Sequence, residues 1–193
     1  MGNQLALDFL NTRPVPAGEP VELLPDFKAL LEWFREANLL TSEEAVDMQK
    51  RWGHSSRAGK TMREVQELRE KLRLEIVRWE GGEAVHPAMI QELNQLMARH
   101  PMRTKLERMS NGLVTNTWFE AREPEDLLAP LVDSAARLFT VADRGRVRKC
   151  AHCVAHFQDT SKKGTRRWCS MELCGNRLKV AAYGARHRSR QRL

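Results

Sequence analysis

The stretch RKCAHCVAHFQDTSKKGTRRWCSMELCGNRLKV, residues 148–180, contains every cysteine of the 193-residue chain. Cys150 and Cys153 form a C-x2-C pair, and after fifteen intervening residues Cys169 and Cys174 form a C-x4-C pair. Two close pairs joined by a short loop suit a tetrahedral metal ion, because each pair can span one edge of the tetrahedron. The clustering predicts one shared site.

Other chemistries of four thiols remain open at this point. A reducing cytoplasm disfavours a stable disulfide framework, which leaves metal binding, redox chemistry or buried free thiols. An iron–sulfur cluster also uses four thiolates, but the basic surroundings and the finger-like spacing favour zinc. Four cysteine ligands leave no position for water or substrate, so we predict one structural Zn²⁺. If His152 or His156 replaced a cysteine as ligand, the released thiol could act as a sensor.

The charge of the chain is distributed unevenly. The net charge is +7 overall, but residues 144–193 carry +12 and residues 1–143 carry −5. A basic block of this kind favours contact with a polyanion such as nucleic acid, whereas an acidic region does not. A solvated basic tail that keeps the protein in solution is the alternative interpretation.

The candidate nucleic-acid contacts lie in the loop between the cysteine pairs and in the segment that follows them. They are Lys162, Lys163, Arg166, Arg167, Asn176, Arg177, Lys179 and Arg186. From about Ser170 the sequence can form a basic helix, and a zinc-anchored helix is how several fingers enter the major groove. Lysine and arginine bind phosphates, and arginine and asparagine can read guanine and adenine edges. Four residues could equally form a network inside the module, with Asp159 pairing with an arginine and Asn176 bonding the backbone: Asp159, Arg167, Asn176 and Arg177.

Residues 1–143 carry the signals of a mainly helical domain. Asp26 is a predicted helix cap, and Thr41 with Glu44 fits a capping box. The same pattern at Thr61 and Glu64 predicts the start of a long helix that Gly81-Gly82 ends. Pro87 is a predicted first residue of the next helix, and a last helix is expected over residues 124–142.

Two further features of this region are less regular. Asn111-Gly112 between β-forming residues predicts a hairpin. The segment LALDFLNT, residues 5–12, is a candidate third strand, although its pattern also suits a helical turn. Within it, Asp8 and Asn11 could line a pocket for a small-molecule effector, or the element could be purely structural with Asn11 as a capping residue.

Several function classes lack support. The chain contains no Gly-rich phosphate loop, no HExxH and no Gly-x-Ser-x-Gly motif, so no catalytic residues are predicted and we expect a protein that is not an enzyme. It also lacks the roughly 20-residue apolar run of a membrane span and the basic start of a signal peptide. We therefore expect a cytoplasmic protein without a membrane partner.

The motifs RKCAHC and FQDTSKKGTRRWCSMELCGNR resemble the CGNR zinc finger, whose signature tetrapeptide stands at residues 174–177. One departure is His156, which precedes Phe157 where such fingers often carry a bulky apolar residue. LALDFLNT, EANLL and SNGLVTNTWF resemble the ABATE domain that commonly precedes this finger in stress-induced transcription regulators of bacteria. The resemblance covers nearly all of residues 146–190 and, more weakly, about the first 140.

The resemblance implies an α+β protein of two domains. Residues 1–143 would form a mainly helical regulatory or sensor domain with a β-hairpin, and residues 144–193 a treble-clef-like or related zinc finger with a basic helix. Zinc bound by Cys150, Cys153, Cys169 and Cys174 would support binding to double-stranded DNA. A homodimer would suit a palindromic site. The alternatives are a zinc-stabilised RNA-binding module and a protein-interaction or redox-sensing module.

Overall fold

The computed structural model describes residues 4–15, 19–110, 112–153 and 155–175. The helices in these ranges are α1 (Leu5–Leu10), α2 (Phe27–Glu36), α3 (Ser42–Trp52), α4 (Ser56–Glu80), α5 (Pro87–Arg99) and α6 (Leu128–Val141). The strands are β1 (Arg103–Met109), β2 (Gly112–Trp118), β3 (Val147–Lys149) and β4 (His156–Gln158). β1 pairs antiparallel with β2, and β3 with β4. We call residues 4–143 the helical body and residues 144–175 the C-terminal module, and together they have the α+β architecture that was predicted.

Three predicted helix starts are confirmed. The side chain of Asp26 accepts a hydrogen bond of 2.8 Å from the amide of Ala29 at the start of α2. Thr41 and Glu44 form the expected reciprocal capping box of α3, with distances of 3.2 and 2.7 Å. Pro87 is the first residue of α5, where its missing N–H costs no helical hydrogen bond.

The predicted start of the long helix at Thr61 is wrong. α4 begins at Ser56, and the side chain of Ser55 caps it by accepting from the amide of Ala58 at 3.1 Å. Thr61 lies inside the helix, where its hydroxyl donates to the carbonyl of Arg57 at 3.0 Å. Ser55 already satisfies a free amide of the first turn, so the helix needs no cap at Thr61.

The candidate third strand is the helix α1. Gln4 caps it by accepting from the amide of Leu7, and the amide of Ala6 donates to the hydroxyl of Ser134 on α6 at 2.9 Å. Ala6, Leu7, Phe9 and Leu10 are buried in the core. A helix satisfies most of its own backbone groups at this buried place, whereas a strand would need a paired neighbour. The β1–β2 hairpin is therefore two-stranded in the part of the chain that the structure describes.

The core of the helical body lies between α1, α2, α4 and α6. Leu72 and Ile76 of α4 are fully buried there, as are Leu131 and Leu138 of α6. Two edge-to-face aromatic pairs contribute to this core. The ring centroids are 6.2 Å apart for Phe34 and Phe119 and 5.5 Å apart for Trp79 and Phe139. Among the described helices, none combines the length and the apolar character needed to cross a membrane.

Candidate metal centre

The β3–β4 hairpin brings the first cysteine pair into a tight turn. The amide of Cys150 donates to the carbonyl of Ala155 at 2.7 Å, which closes the turn between the strands. The amide of Ala151 donates to the carbonyl of Arg167 at 3.0 Å. This second bond places the first pair beside the segment that leads into Cys169.

Cys174 of the second cysteine pair lies on a single π-helical turn, Met171–Gly175, and Cys169 lies just before this turn. The amides of Cys174 and Gly175 both donate to the carbonyl of Ser170 at 3.0 Å. Gly175 is buried, and a β-carbon there would lie 2.8 Å from the sulfur of Met171 and 3.1 Å from the indole of Trp168. Only a glycine fits this position without displacing those side chains.

The four thiol groups form one compact cluster. Their sulfur atoms all lie within 4.8 Å of one another, and Cys169 lies 3.5 Å from both Cys153 and Cys174. A disulfide bond is about 2.05 Å long, and all four cysteines are free. Four sulfurs bound tetrahedrally to Zn²⁺ at about 2.3 Å would be separated by about 3.8 Å. The cluster therefore fits one structural Zn²⁺ without rearrangement of the backbone.

All four thiols can ionise together only when a cation is bound between them. Burial and the neighbouring Cys153 and Cys150 raise the pKa of Cys174 to about 11, and burial likewise raises the pKa of Cys169. Burial opposes ionisation of Cys150 as well, but backbone amides such as those of Cys153 and Cys169 lower its pKa to about 7. Four thiolates so close together repel one another, and a divalent cation supplies the charge that lets all of them ionise.

Neither histidine of the module joins the cluster. His152 is exposed, and the ring of His156 is buried against Glu80 of the helical body, with Nδ1 2.7 Å from the carboxylate. Within the described ranges, the four cysteines are the one group of metal-ligating side chains close enough together to bind an ion. The alternative with a histidine ligand has no support in this geometry.

A buried carboxylate organises the loop between the cysteine pairs. Asp159 is fully buried and accepts hydrogen bonds from the amides of Ser161 at 2.9 Å and Arg166 at 2.8 Å. Hydrogen bonds from Ser161 and from the amide of Arg166 lower the pKa of Asp159 to about 2. The guanidinium of Arg148 lies 4.0 Å away and adds to this stabilisation of the ionised form. Asp159 therefore stabilises the module internally, which is the role that the sequence analysis allowed for it.

Two arginines donate hydrogen bonds to carbonyl groups of the same loop: Arg146, directly before β3, and Arg148, within β3. Arg146 donates to the carbonyls of Asp159 at 3.2 Å and Ser161 at 2.8 Å. Arg148 donates to the carbonyl of Gly164 at 2.8 Å, in a turn where Gly164 adopts a φ of 62°. These cations stabilise the module itself, a role that the net charge of the sequence does not reveal.

The predicted nucleic-acid contacts differ in what their side chains do. Lys162, Lys163 and Arg167 are exposed. Arg166 is instead half-buried: its Nε donates to the carbonyl of Trp168 at 2.7 Å, a second nitrogen donates to the carbonyl of Cys169, and the guanidinium lies over the ring of Phe157. A guanidinium has five donors and can satisfy several carbonyls at once, which explains this internal position. The remaining four are Asn176, Arg177, Lys179 and Arg186, which lie outside the described residues.

The C-terminal module is docked on the helical body. The side-chain amide of Asn11 makes two hydrogen bonds to the backbone of His156, donating to its carbonyl at 2.8 Å and accepting from its amide at 2.9 Å. The ring of His156 bonds Glu80, and Val147 of β3 is buried in the core of the body. Sequence reasoning missed this interface. The available signal was His156, the polar residue that stands where the resembled fingers carry an apolar one.

Asp8 and Asn11 do lie in a groove of the helical body. It has a volume of about 730 Å³ and lies between α1, α2 and the segment before α2. Its walls include Leu5, Leu24 and Trp33 as well as three carboxylates, those of Asp8, Glu32 and Glu36. Asn11 therefore lines the groove and binds the C-terminal module at the same time.

Comparison with protein families agrees with this architecture. The model of the ABATE family, described as "putative stress-induced transcription regulator", matches residues 3–142, and the model of the CGNR zinc finger matches residues 146–187. Neither description is that of an enzyme family. A comparison with curated proteins found no match. The chain belongs to the ABATE family and carries a CGNR zinc finger at its C-terminal end.

Proposed function

We propose that the protein is a transcription regulator that binds double-stranded DNA through its zinc finger. The observation that carries the proposal is the loop between the cysteine pairs, in which Lys162, Lys163 and Arg167 are exposed while the zinc site and Asp159 fix the backbone. In the described part of the chain no carboxylate forms an ion pair with these three side chains. They are available for phosphate groups, which account for most of the affinity of DNA-binding proteins.

The helical body supports this assignment by its charge. Residues 1–143 carry −5, so the duplex would be repelled by the body and attracted by the finger. Asn11, Glu80 and Val147 tie the finger to the body, so the finger would meet DNA in a defined orientation. The family description supports a role in transcription, and on that ground we infer a cytoplasmic protein of a bacterium.

The test is selection of the zinc-loaded chain on a pool of random duplex DNA at near-physiological salt. We expect one enriched motif, and a lower affinity for it when Lys162 and Lys163 are both replaced by Gln. Loss of two phosphate contacts should weaken binding roughly tenfold and reduce the dependence on salt. Lys28→Gln with Lys50→Gln removes the same charge from exposed sites on the body and should leave binding nearly unchanged.

The same experiment separates the other classes of function. Equal retention of all duplexes and preference for a structured RNA competitor would favour the RNA-binding alternative. Absence of binding to either nucleic acid would contradict the proposal and leave the protein-interaction or redox-sensing module. Release of zinc by peroxide, followed with a chromogenic chelator, identifies the redox case.

We further propose that the groove between α1 and α2 binds a small-molecule effector. The groove and the finger share α1: Asp8 faces the groove, and one turn later Asn11 holds the backbone of His156. A ligand that shifts α1 would therefore change the position of the finger relative to the body. Three carboxylates beside Trp33 favour a cationic ligand with an apolar part.

A thermal-shift screen of the zinc-loaded chain tests the effector proposal. Ligands that raise the melting temperature should lose that effect in Glu36→Gln and retain it in Glu67→Gln, an exposed glutamate on α4. They should also change the affinity for the selected DNA. A screen with no stabilising ligand, or hits that are indifferent to Glu36, would contradict the proposal.

A further inference from the structure

The β1–β2 hairpin is the most exposed element of the described chain. All seven residues of β2 are exposed, including Leu113 at 59% and Val114 at 38%. The strands pair with each other in register, with Leu106 opposite Thr115. An isolated two-stranded hairpin is marginally stable in water and gains stability when further strands or helices cover it.

The two outer edges of this hairpin differ in charge. β1 carries Arg103, Lys105, Glu107 and Arg108. β2 has the sequence GLVTNTW, with no charged residue and no proline. Natural proteins protect exposed edge strands with charges, especially lysine, or with proline. β1 has that protection and β2 lacks it.

The register identifies the backbone groups that point outward from β2. Two residues separate Met109 from Gly112, and in such a hairpin the pair beside the loop exchanges both hydrogen bonds. The pairs then alternate, so Leu113, Thr115 and Thr117 direct their N–H and C=O groups outward. The hydroxyls of Thr104 and Thr117 lie 3.2 Å apart, as expected for the closer, non-hydrogen-bonded type of pair.

These outward groups have no backbone partner among the described residues. Near the base of the hairpin, Thr117 and Trp118 line a cleft of about 470 Å³ that also borders α3. The open part of the edge is therefore residues 112–116, and we call it the β2 edge. It is long enough to form a short antiparallel ladder with one further strand.

We propose that the β2 edge pairs antiparallel with the same edge of a second copy of the chain. Antiparallel pairing of identical strands is symmetric about a two-fold axis, so each copy offers the other the same donors and acceptors. Since β2 is uncharged, the two copies meet without repulsion. Pairing through β1 would instead bring together two strands that each carry three cations and one carboxylate. The product is a four-stranded sheet in the order β1-β2-β2-β1.

This assembly does not depend on DNA binding. If the proposed function also holds, the two-fold axis relates two zinc fingers, and the selected DNA motif should be an inverted repeat. A dimer with no DNA affinity would reject the proposed function alone, and a monomer that binds a single half-site would reject the dimer alone.

The test is sedimentation velocity of the zinc-loaded chain from about 1 to about 300 µM, a range that covers weak dimers. We expect a concentration-dependent dimer. Thr115→Pro removes an outward N–H and no hydrogen bond of the hairpin, so it should raise the dimer dissociation constant roughly tenfold or more. Leu106→Pro makes the matched change on the outer edge of β1, directly across the ladder, and should leave the dissociation constant nearly unchanged.

A monomer throughout this range overturns the proposal, and so does a dimer that resists Thr115→Pro. Dissociation caused by Leu106→Pro would indicate head-to-tail pairing of β1 with β2, which also contradicts it. Hydrogen exchange of the unaltered chain covers the case in which a proline unfolds the hairpin. Amides of residues 112–116 should become more protected on concentration while those of residues 103–109 do not, and any other pattern rejects the β2 edge as the interface.

Discussion

The helical body and the C-terminal module are stabilised by different means. The body buries apolar side chains from α1, α2, α4 and α6, with Leu72, Ile76 and Leu131 fully enclosed. The core of the module is Phe157 and the cysteines, with half-buried Ala155 and Trp168 beside them. A segment this small cannot bury enough apolar surface to offset its loss of conformational entropy. The module must therefore depend on its metal and on polar contacts.

Those polar contacts are hydrogen bonds between particular side chains and the backbone of the loop. Asp159 accepts from two loop amides, while Arg146 and Arg148 donate to loop carbonyls. Substitutions in the body should therefore act on stability through packed volume, whereas substitutions in the module should act through zinc affinity.

Removal of zinc should have the largest effect. A structural zinc site contributes roughly 10 kcal/mol or more of apparent binding free energy at neutral pH, which exceeds the stability of most small modules. We expect a strong chelator to unfold residues 147–175 and to leave most of the helical circular dichroism unchanged. Hydrogen exchange measured with and without chelator locates the change.

Two outcomes of that measurement would contradict the view that the body and the module are stabilised separately. Persistent protection of the module without zinc would mean that its polar contacts suffice. Loss of the whole helical signal would mean that the body depends on the docked module, through Val147 and His156, as much as on its own core.

The next largest effect is expected for Leu72→Ala in the body. Truncation of a fully buried leucine costs about 2–5 kcal/mol, because the cavity is only partly refilled. Urea unfolding followed by circular dichroism should show a lower midpoint, while zinc affinity measured by competition with a chelator stays the same. Leu74→Ala, at a position 69% exposed on the same helix, is the control and should change neither. A parallel loss of zinc affinity in Leu72→Ala would show that the two regions fold as one unit.

The features that could be predicted from the sequence are those that depend on neighbouring residues. The cysteine spacing predicts the metal cluster because each pair spans one edge of a tetrahedron. Asp26, Thr41 and Pro87 mark helix starts because a cap acts on the next three residues. The boundary between two domains near residue 143 and the nucleic-acid contacts remain predictions.

The features that were missed depend on residues far apart in the chain. α1 was a candidate strand because its apolar residues suit either form, and its contact with Ser134 on α6 decides for the helix. Asn11 was a candidate pocket residue, and it also bonds His156, 145 residues away. Arg166 carries the same charge as Lys162, and only the folded loop shows that its guanidinium binds carbonyls. A periodicity or a charge count contains none of this information.

A smaller effect, confined to the module, is expected for Asp159→Asn. The amide keeps one acceptor but turns an N–H₂ group toward a backbone N–H, so one of the two loop bonds is lost. Zinc affinity at pH 7 should fall several-fold, while the urea midpoint of the body does not move. Glu43→Gln changes an exposed carboxylate on α3 of the helical body and should leave zinc affinity unchanged.

The pH dependence of this contribution has a definite sign. The pKa of Asp159 is lowered from its ordinary value of 3.8 to about 2 in the folded chain. Its stabilisation is therefore complete above about pH 4 and is lost as the pH falls toward about 2. Equal zinc affinity of Asp159→Asn and the unaltered chain at pH 7 would show that the carboxylate does not support the metal site.

The smallest effect is expected where the two regions meet, in Asn11→Ala. Loss of the two hydrogen bonds to His156 should cost about 1 kcal/mol, since water replaces them in part. The module should stay folded and keep its zinc affinity, because Asn11 touches no ligand. Amide exchange at residues 156–158 should become faster, and tumbling measured by ¹⁵N relaxation should differ between module and body. Asn94→Ala, on the exposed side of α5, is the matched control. If Asn11→Ala changes zinc affinity, the docked strand β4 forms part of the metal site, and the module can no longer be treated as separately stabilised.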